Sequence, residues 1–174
     1  PTNASCNLLC NGIVALTASG GTPNYTYSWN TTPAQTTSAA TGLCAGNYTV
    51  ILTDANSCSY SNTLTITQPS ALSNTITPTN ISCNLLCNGT ATVSASGGTS
   101  GYTYAWNTTP IQTTSIVTGL CAGDYTVTAT DANSCSTTTT LTITEPTALS
   151  NTITPTNVSC KLLCNGNAVL TASG

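Results

Sequence analysis

The chain has almost no charge, because only one basic and four acidic side chains occur among its 174 residues. It also contains no His, no Met and no Phe. A single cation cannot neutralise several phosphates, which excludes a nucleic-acid-binding surface. Without His, neither a Ser-His-Asp nor a Cys-His arrangement can form within this chain. We therefore predict a protein that is not an enzyme, with no catalytic residues and no cofactor.

Long apolar runs are missing as well, and none approaches the ~20 residues that a spanning helix needs. We predict no membrane insertion in this segment. Thr, Ser and Asn take the place of the missing charges. Charge normally keeps β-rich proteins from associating edge to edge. We therefore expect neighbouring copies of the same repeat to be the partners of this chain, or covalent glycans or a surface polysaccharide to cover it.

The chain repeats itself. "PTNASCNLLCNG" at Pro1 returns as "PTNISCNLLCNG" at Pro78 and "PTNVSCKLLCNG" at Pro155. Residues 1–77 and 78–154 align without a gap, with 57 of 77 positions identical. A fixed period of this length indicates an array of similar modules. We predict a module lacking most of its first strand at 1–69, a complete module at 70–146, and the first strands of a third at 147–174.

Each repeat has the pattern of an all-β module. Apolar and polar residues alternate in "ATVSAS" and "TLTIT", and Gly-Gly, "TGLCAG" and "TDANS" mark turns. Six to seven short strands at this spacing predict tandem Ig-like β-sandwich modules. The aromatic stretch "YTYSW" would be strand C. Tyr48, near the start of strand F, is a candidate tyrosine corner.

Ten cysteines are present, four of them in each full repeat. An even number in a small β-module predicts a disulfide framework, which marks an oxidising, extracellular location. The spacing C-x₃-C followed by C-x₁₃-C lacks the paired knuckles of zinc sites, so we predict no metal site. Asp54 and Asp131 fall in "TDAN" turns, where Asp is expected to bond to its own backbone.

The predicted strand order suggests which cysteines pair. Strands B and F run the same way in an Ig-like sandwich, so Cys10 and Cys44 should lie at the same end, as should Cys87 and Cys121. The remaining cysteines allow two alternatives. Cys6 pairs with Cys58 within the repeat, and Cys83 with Cys135, or Cys6 pairs with Cys135 across modules stacked head to tail.

Asn-x-Ser/Thr sequons recur in register between the repeats, and each is a candidate glycosylation site. These sites are Asn3, Asn30, Asn80, Asn107 and Asn157.

"GGTPNYTYSW", "TGLCAGNYTV", "TDANSC" and "TLTITQP" resemble the SprB-type repeat of large cell-surface adhesins of Bacteroidota, which include the gliding-motility adhesin. The resemblance implies an Ig-like or PKD-like module, export to the cell surface, and a role in adhesion or motility filaments. One departure is that Ser57 and Ser134 stand where the family usually has Gly.

Three functions compete. The leading hypothesis is a structural repeat segment of a long extracellular filament or stalk, stiffened by disulfides. The alternative is an adhesin segment that binds glycans or surfaces. Substitutions between the repeats fall largely on strands and the turns repeat unchanged, which favours the scaffold. A remote alternative is an ice-binding face built on Thr126, Thr128 and Thr130.

Overall fold

The computed structural model describes residues 1–159 and 164–174, and thirteen β-strands run through these residues. Cys160 and Lys161, two residues of the third repeat, lie outside the described residues. No helix in the described part of the chain is long and apolar enough to cross a membrane. The strands are β1 (Gly12–Ala15), β2 (Thr26–Trp29), β3 (Ala39–Leu43), β4 (Gly46–Thr53), β5 (Ser59–Ile66), β6 (Ser73–Thr79), β7 (Gly89–Ser96), β8 (Thr103–Trp106), β9 (Ile116–Leu120), β10 (Gly123–Thr130), β11 (Ser136–Ile143), β12 (Ser150–Thr156) and β13 (Asn167–Ser173).

The chain divides into two compact units. Unit 1 comprises Pro1–Asn74 together with the short segments Ala95–Thr103 and Ala129–Thr137. Unit 2 contains the rest of the chain. Unit 1 therefore holds nearly all of the first repeat and two short segments of the second.

The core of unit 1 lies between two sheets. Strands β1 and β3 pair antiparallel in one sheet, and β2, β4 and β5 form the other in the order β2-β4-β5. Each sheet contributes apolar side chains to one buried cluster. The cluster consists of Val14, Trp29, Ala40, Leu43, Val50 and Ile66.

The core of unit 2 is built in the same way. Its sheets have the orders β6-β7-β9 and β11-β10-β8, which are A-B-E and G-F-C in the lettering of an Ig-like sandwich. The predicted all-β, Ig-like β-sandwich fold is confirmed. The buried cluster consists of Ile81, Ala91, Val93, Trp106, Val117, Leu120, Val127 and Ile143.

Alternation along the strands explains which residues enter the core. In β7, Ala91 and Val93 are buried while Thr92 and Ser94 are exposed, as a strand with one wet face requires. Trp29 and Trp106 each end their strand with the ring buried. The indole N–H of Trp106 donates to the carbonyl of Thr114 at 3.0 Å, so the buried ring leaves no unpaired donor.

The third repeat contributes one hairpin. Strands β12 and β13 pair antiparallel over seven residues each. All fourteen residues are exposed, including Ile153 at 65% and Leu170 at 64%. A two-stranded hairpin with no covered apolar face is marginally stable. The stability of the described chain must therefore come from the cores of the first two repeats.

Candidate functional site: the Cys6–Cys135 junction

A short loop carries the first cysteine pair of each repeat, and its own side chains hold it in shape. We call residues 5–11 the Cys loop and residues 82–88 its counterpart in the second repeat. Asn11 accepts a hydrogen bond from the main-chain N–H of Ser5 at 2.9 Å, and its amide donates to the Ser5 hydroxyl at 2.7 Å. This closed pair fixes the ends of the loop on either side of both cysteines.

The linker that follows the first repeat also fastens the Cys loop. The main-chain N–H of Leu8 donates to the side-chain oxygen of Gln68 at 2.8 Å, and the Asn7 amide donates to the carbonyl of Pro69 at 3.2 Å. Leu8 itself is 83% exposed. The loop therefore presents an apolar side chain and Cys6 from a fixed backbone.

A turn at the end of strand β10 carries the fourth cysteine. We call residues 131–135 the tip turn, with residues 54–58 as its counterpart in the first repeat. One oxygen of Asp131 accepts from the N–H groups of Asn133 and Cys135, both at 2.9 Å, and the other accepts from Thr99 at 2.8 Å. A carboxylate that accepts three main-chain bonds organises the turn around itself.

These bonds also act on the protonation of the two aspartates. The main-chain N–H of Thr22 is the largest influence that lowers the pKa of Asp54, followed by the N–H of Cys58. The main-chain N–H of Thr99 lowers the pKa of Asp131 in the same way. Because these donors stabilise the ionised carboxylate, both side chains remain charged and the turns remain closed near neutral pH.

Residue 134 and its counterpart lie in the left-handed region of the backbone, with φ of 66° at both Ser57 and Ser134. Glycine adopts this region freely, whereas other residues are strained there. Ser57 and Ser134 therefore hold a backbone conformation that glycine would adopt without strain.

The Cys loop and the tip turn meet inside unit 1. Cys6 and Cys135 form a disulfide with their Cα atoms 5.8 Å apart, although 129 residues separate them in sequence. The Asn133 amide donates to the carbonyl of Ser5 at 3.0 Å. The structure thus joins Cys6 across the repeats. It does not join Cys6 to Cys58, or Cys83 to Cys135, as the within-repeat alternative would require.

A second contact supports this junction from the Gly-Gly turn of the second repeat. The N–H of Gly98 donates to the carbonyl of Ser70 at 2.9 Å. A side-chain carbon at Gly97 would collide with the carbonyl oxygen of Ala71. The Gly-Gly turn therefore allows the linker to pass against it. Beside the disulfide lies a cleft of about 430 Å³, lined in part by Leu8, Leu72 and Thr137.

Two further disulfides lie within the repeats. Cys10 bonds to Cys44 and Cys87 bonds to Cys121. The hydroxyl of Tyr48 donates to the carbonyl of Cys44 at 3.1 Å, which is the bond expected of a tyrosine corner. Each of these disulfides therefore anchors the start of a central strand. Among the described residues, Cys58, Cys83 and Cys164 are exposed and form no disulfide.

The sequon asparagines have structural partners that the sequence did not indicate. Asn3 accepts from the N–H of Thr67 at 3.0 Å, and Asn80 accepts from Thr144 at 3.1 Å. Asn30 and Asn107 each accept from the N–H of a residue in the neighbouring strand of the sheet, both at 2.8 Å. Asn157 is exposed. Since these bonds use the side-chain oxygen, they give a reason for the recurrence that does not involve sugars, and glycosylation stays a prediction.

Sequence reasoning also missed the Ser5–Asn11 pair. A signal was available, since Ser and Asn recur in register at 82 and 88 and again at 159 and 165, and the same bonds form there. Within the described residues, no group of three or more metal-ligating side chains occurs. The arrangement at the junction can form and hold a covalent link, and it presents no group set up for acid–base chemistry.

Comparison with known families identifies two stretches of the chain. Residues 1–33 and 75–110 match the family model described as the SprB repeat. These two stretches are similar to the SprB repeat. Such repeats, together with the Ig-like fold, are typical of structural or adhesin-like proteins rather than enzymes. A search of curated proteins finds no match.

Solved structures that resemble the chain are Ig-domain proteins at low identity. One is the amphioxus IgVJ-C2 molecule, with 10% identity and a TM-score of 0.40 over 81% of this chain and 99% of that chain. Another comes from work on Dscam isoform specificity, with 13% identity and a TM-score of 0.38 over 84% of this chain and 44% of that one. A third is the N-terminal four Ig domains of Dscam1 isoform 9.44, with 13% identity and a TM-score of 0.37. The match covers 83% of this chain and 42% of that chain. The strand order described above, not these likenesses, assigns the fold.

Proposed function

We propose that this chain is a load-bearing structural segment of a long extracellular filament or stalk, built from tandem SprB-type modules. The observation that carries the proposal is the Cys6–Cys135 disulfide. It links the Cys loop of one repeat to the tip turn of the next, so tension passing along the chain crosses the junction through a covalent bond.

The reach of this bond supports a mechanical role. It encloses both within-repeat disulfides, because Cys10, Cys44, Cys87 and Cys121 all lie between its two ends. A module of about 77 residues buries only a small core and gains stability from cross-links. Here the longest cross-link runs between the two repeats rather than within one. Its effect is to prevent the two repeats from being pulled apart.

The chemistry of the cysteines supports an extracellular location. Disulfides persist in oxidising compartments and are rare in the cytosol of mesophiles. SprB repeat proteins are cell-surface proteins, which agrees with this inference. We therefore propose that the segment is exported and lies at the cell surface.

An adhesin that binds glycans or surfaces is the second candidate. The cleft of about 430 Å³ beside the Cys6–Cys135 disulfide favours it, since a concave surface of this size could hold a small ligand. Against it, this cleft includes no charged side chain, and the aromatic rings that commonly stack on sugars are absent from its lining. Binding of the purified chain to a glycan array would distinguish this candidate from a scaffold.

Immunogold electron microscopy on intact cells tests the structural role. Antibodies raised against the folded chain should label filaments along their length at regular intervals. Labelling only at filament tips would favour the adhesin instead. Labelling that appears only after the cells are permeabilised would overturn the proposal.

A further inference from the structure

The Cys6–Cys135 bond spans more than one repeat. Its two cysteines are 129 residues apart, whereas the sequence repeats every 77 residues. Cys83, the counterpart of Cys6 in the second repeat, therefore lies inside the segment that the bond encloses. A bond of the same kind that began at Cys83 would start before the first bond had ended. In a tandem array, the bonds of successive junctions must then overlap along the chain.

The Cys loop of the second repeat is built for such a bond. Asn88 accepts from the N–H of Ser82 at 3.2 Å, and its amide donates to the Ser82 hydroxyl at 2.8 Å. The N–H of Leu85 donates to Glu145 at 2.7 Å, in place of the Gln68 contact of the first repeat. The loop therefore has the shape of the bonded loop, although Cys83 itself forms no disulfide among the described residues.

The tip turn of the first repeat is built in the same way as its bonded counterpart. Asp54 accepts from the N–H groups of Asn56 and Cys58, both at 2.9 Å. The turn keeps this shape while Cys58 forms no disulfide in the described part of the chain. Each repeat therefore builds both halves of a junction by itself. Its Cys loop serves the junction with the following repeat, and its tip turn serves the junction with the preceding one.

We propose that the junction disulfides of a tandem array overlap and form two covalent tracks. One track passes through the Cys6–Cys135 bond, follows the chain to Cys160, which is the counterpart of Cys6 in the third repeat, and enters the next bond there. The other track begins at Cys83 and passes to the tip turn of the third repeat. The inference rests on the proposed filament function and states how tension is carried through it.

The first consequence is a limit on how far the array can stretch. Only 25 residues separate Cys135 from Cys160, which is about 80–90 Å of extended chain. With the 5.8 Å between the bonded Cα atoms, a track is about 90 Å long for every two repeats. Two repeats of 77 residues without disulfides would extend to about 510–550 Å. The array therefore stretches to only about a sixth of that length, even when every core is unfolded.

The second consequence concerns cuts in the main chain. Every position inside the array lies between the two cysteines of at least one junction bond, and residues 83–135 would lie inside two. A single cut therefore leaves the two sides of the array joined through a disulfide. A filament outside the cell would keep its continuity after one proteolytic cut in any of its chains.

The bond at Cys83 forms by oxidation of two thiols. Cys83 and the tip-turn cysteine of the third repeat lose two protons and two electrons, which reduce one molecule of a small disulfide, such as oxidised glutathione, to two thiols. The first thiolate attacks that disulfide and releases one thiol. The second thiolate then attacks the mixed disulfide and releases the other, which leaves the bond between the two repeats.

The test uses the single basic residue of the chain. Trypsin can cut only after Lys161, because no other Lys or Arg is present. The chain is extended at its C-terminus by a copy of residues 98–154, which completes the third repeat and adds no further trypsin site. Cys160→Ser is included throughout, so that a thiol beside the cut cannot bridge it. The protein is oxidised in a glutathione buffer and digested in urea without reducing agent.

The two parts of the cut chain should stay joined until a reducing agent is added. Cys83→Ser is the matched control, and it should release the C-terminal part completely without reduction. Cys6→Ser with Cys135→Ser removes only the first junction, so it should leave the two parts joined. Peptide mapping should find the "ISCNLLC" peptide of Cys83 linked to a "TDANSC" peptide. Circular dichroism before digestion checks that each variant is folded.

Two results would overturn the inference. Release of the C-terminal part from the extended chain, with the Cys6–Cys135 bond present in the same sample, would mean that junction bonds do not overlap. Retention of that part in the Cys83→Ser control would mean that a different bond spans the cut. Both results leave the proposed function standing, whereas a peptide map without the Cys6–Cys135 bond would remove the observation on which the proposed function depends.

Discussion

Stretching the chain from its two ends provides a direct measure of the Cys6–Cys135 bond. The bond spans 129 residues, which corresponds to about 430–460 Å of extended chain at 3.3–3.6 Å per residue. While it is intact, tension can extend only the residues outside it, about 44 in number, to about 150 Å. In a Cys6→Ser, Cys135→Ser double variant, the two within-repeat disulfides remain, and each still prevents 34 residues from being extended. About 105 residues then extend, to about 350–380 Å.

Single-molecule force spectroscopy with a handle at each terminus should therefore show a gain of about 200–220 Å in the double variant, at forces that unfold both cores. The matched control is Cys10→Ser with Cys44→Ser. That bond lies inside the segment enclosed by Cys6 and Cys135, so its loss should leave the maximum extension of the oxidised chain unchanged. An oxidised wild-type chain that extends as far as the double variant would refute the reasoning, because Cys6 and Cys135 would then not be linked.

Three further predictions concern the turns and the core. Because the pKa values of Asp54 and Asp131 are lowered by folding, the stability that these carboxylates contribute is fully present above about pH 5. It is lost as the pH falls through the ordinary value of 3.8 toward the lower pKa values of the folded state. Melting temperatures from pH 7 to pH 2 should show this decline, and a curve that is flat below pH 4 would contradict it. Ser57→Gly should raise the free energy of unfolding by up to about 1 kcal/mol by relieving a positive φ, while Ser57→Val should lower it in the same denaturant titration. Tyr48→Phe should cost about 0.5–1.5 kcal/mol through the lost bond to Cys44, reported by the fluorescence of Trp29, and an unchanged midpoint would exclude a tyrosine corner that contributes to stability.

Much of the fold could be predicted from the sequence because local rules determine it. Alternation in "ATVSAS" indicates which side chains of β7 enter the core, and paired glycines mark the turns where strands end. The strand order follows from these short elements, since few arrangements of six or seven strands bury one face of each.

The partner of Cys6 could not be chosen from the sequence. Its choice depends on how the linker at Ser70 and Ala71 passes the Gly97–Gly98 turn, a contact between segments that are distant in sequence. No local pattern encodes such a contact. The asparagine contacts were missed for a different reason. Asn3 and Asn30 match a sequon in the sequence, and only the structure shows that their oxygens bond to backbone N–H groups.

Pairs of hydroxyl groups connect the exposed faces of neighbouring strands. Thr49 and Thr63 lie 2.9 Å apart across β4 and β5, and Thr128 and Thr138 lie 3.3 Å apart across β10 and β11. Dissolved salt screens charge pairs at a protein surface, but it has little effect on a hydrogen bond between two neutral groups. The pairing of these strands through hydroxyl groups should therefore depend little on the salt concentration around the protein.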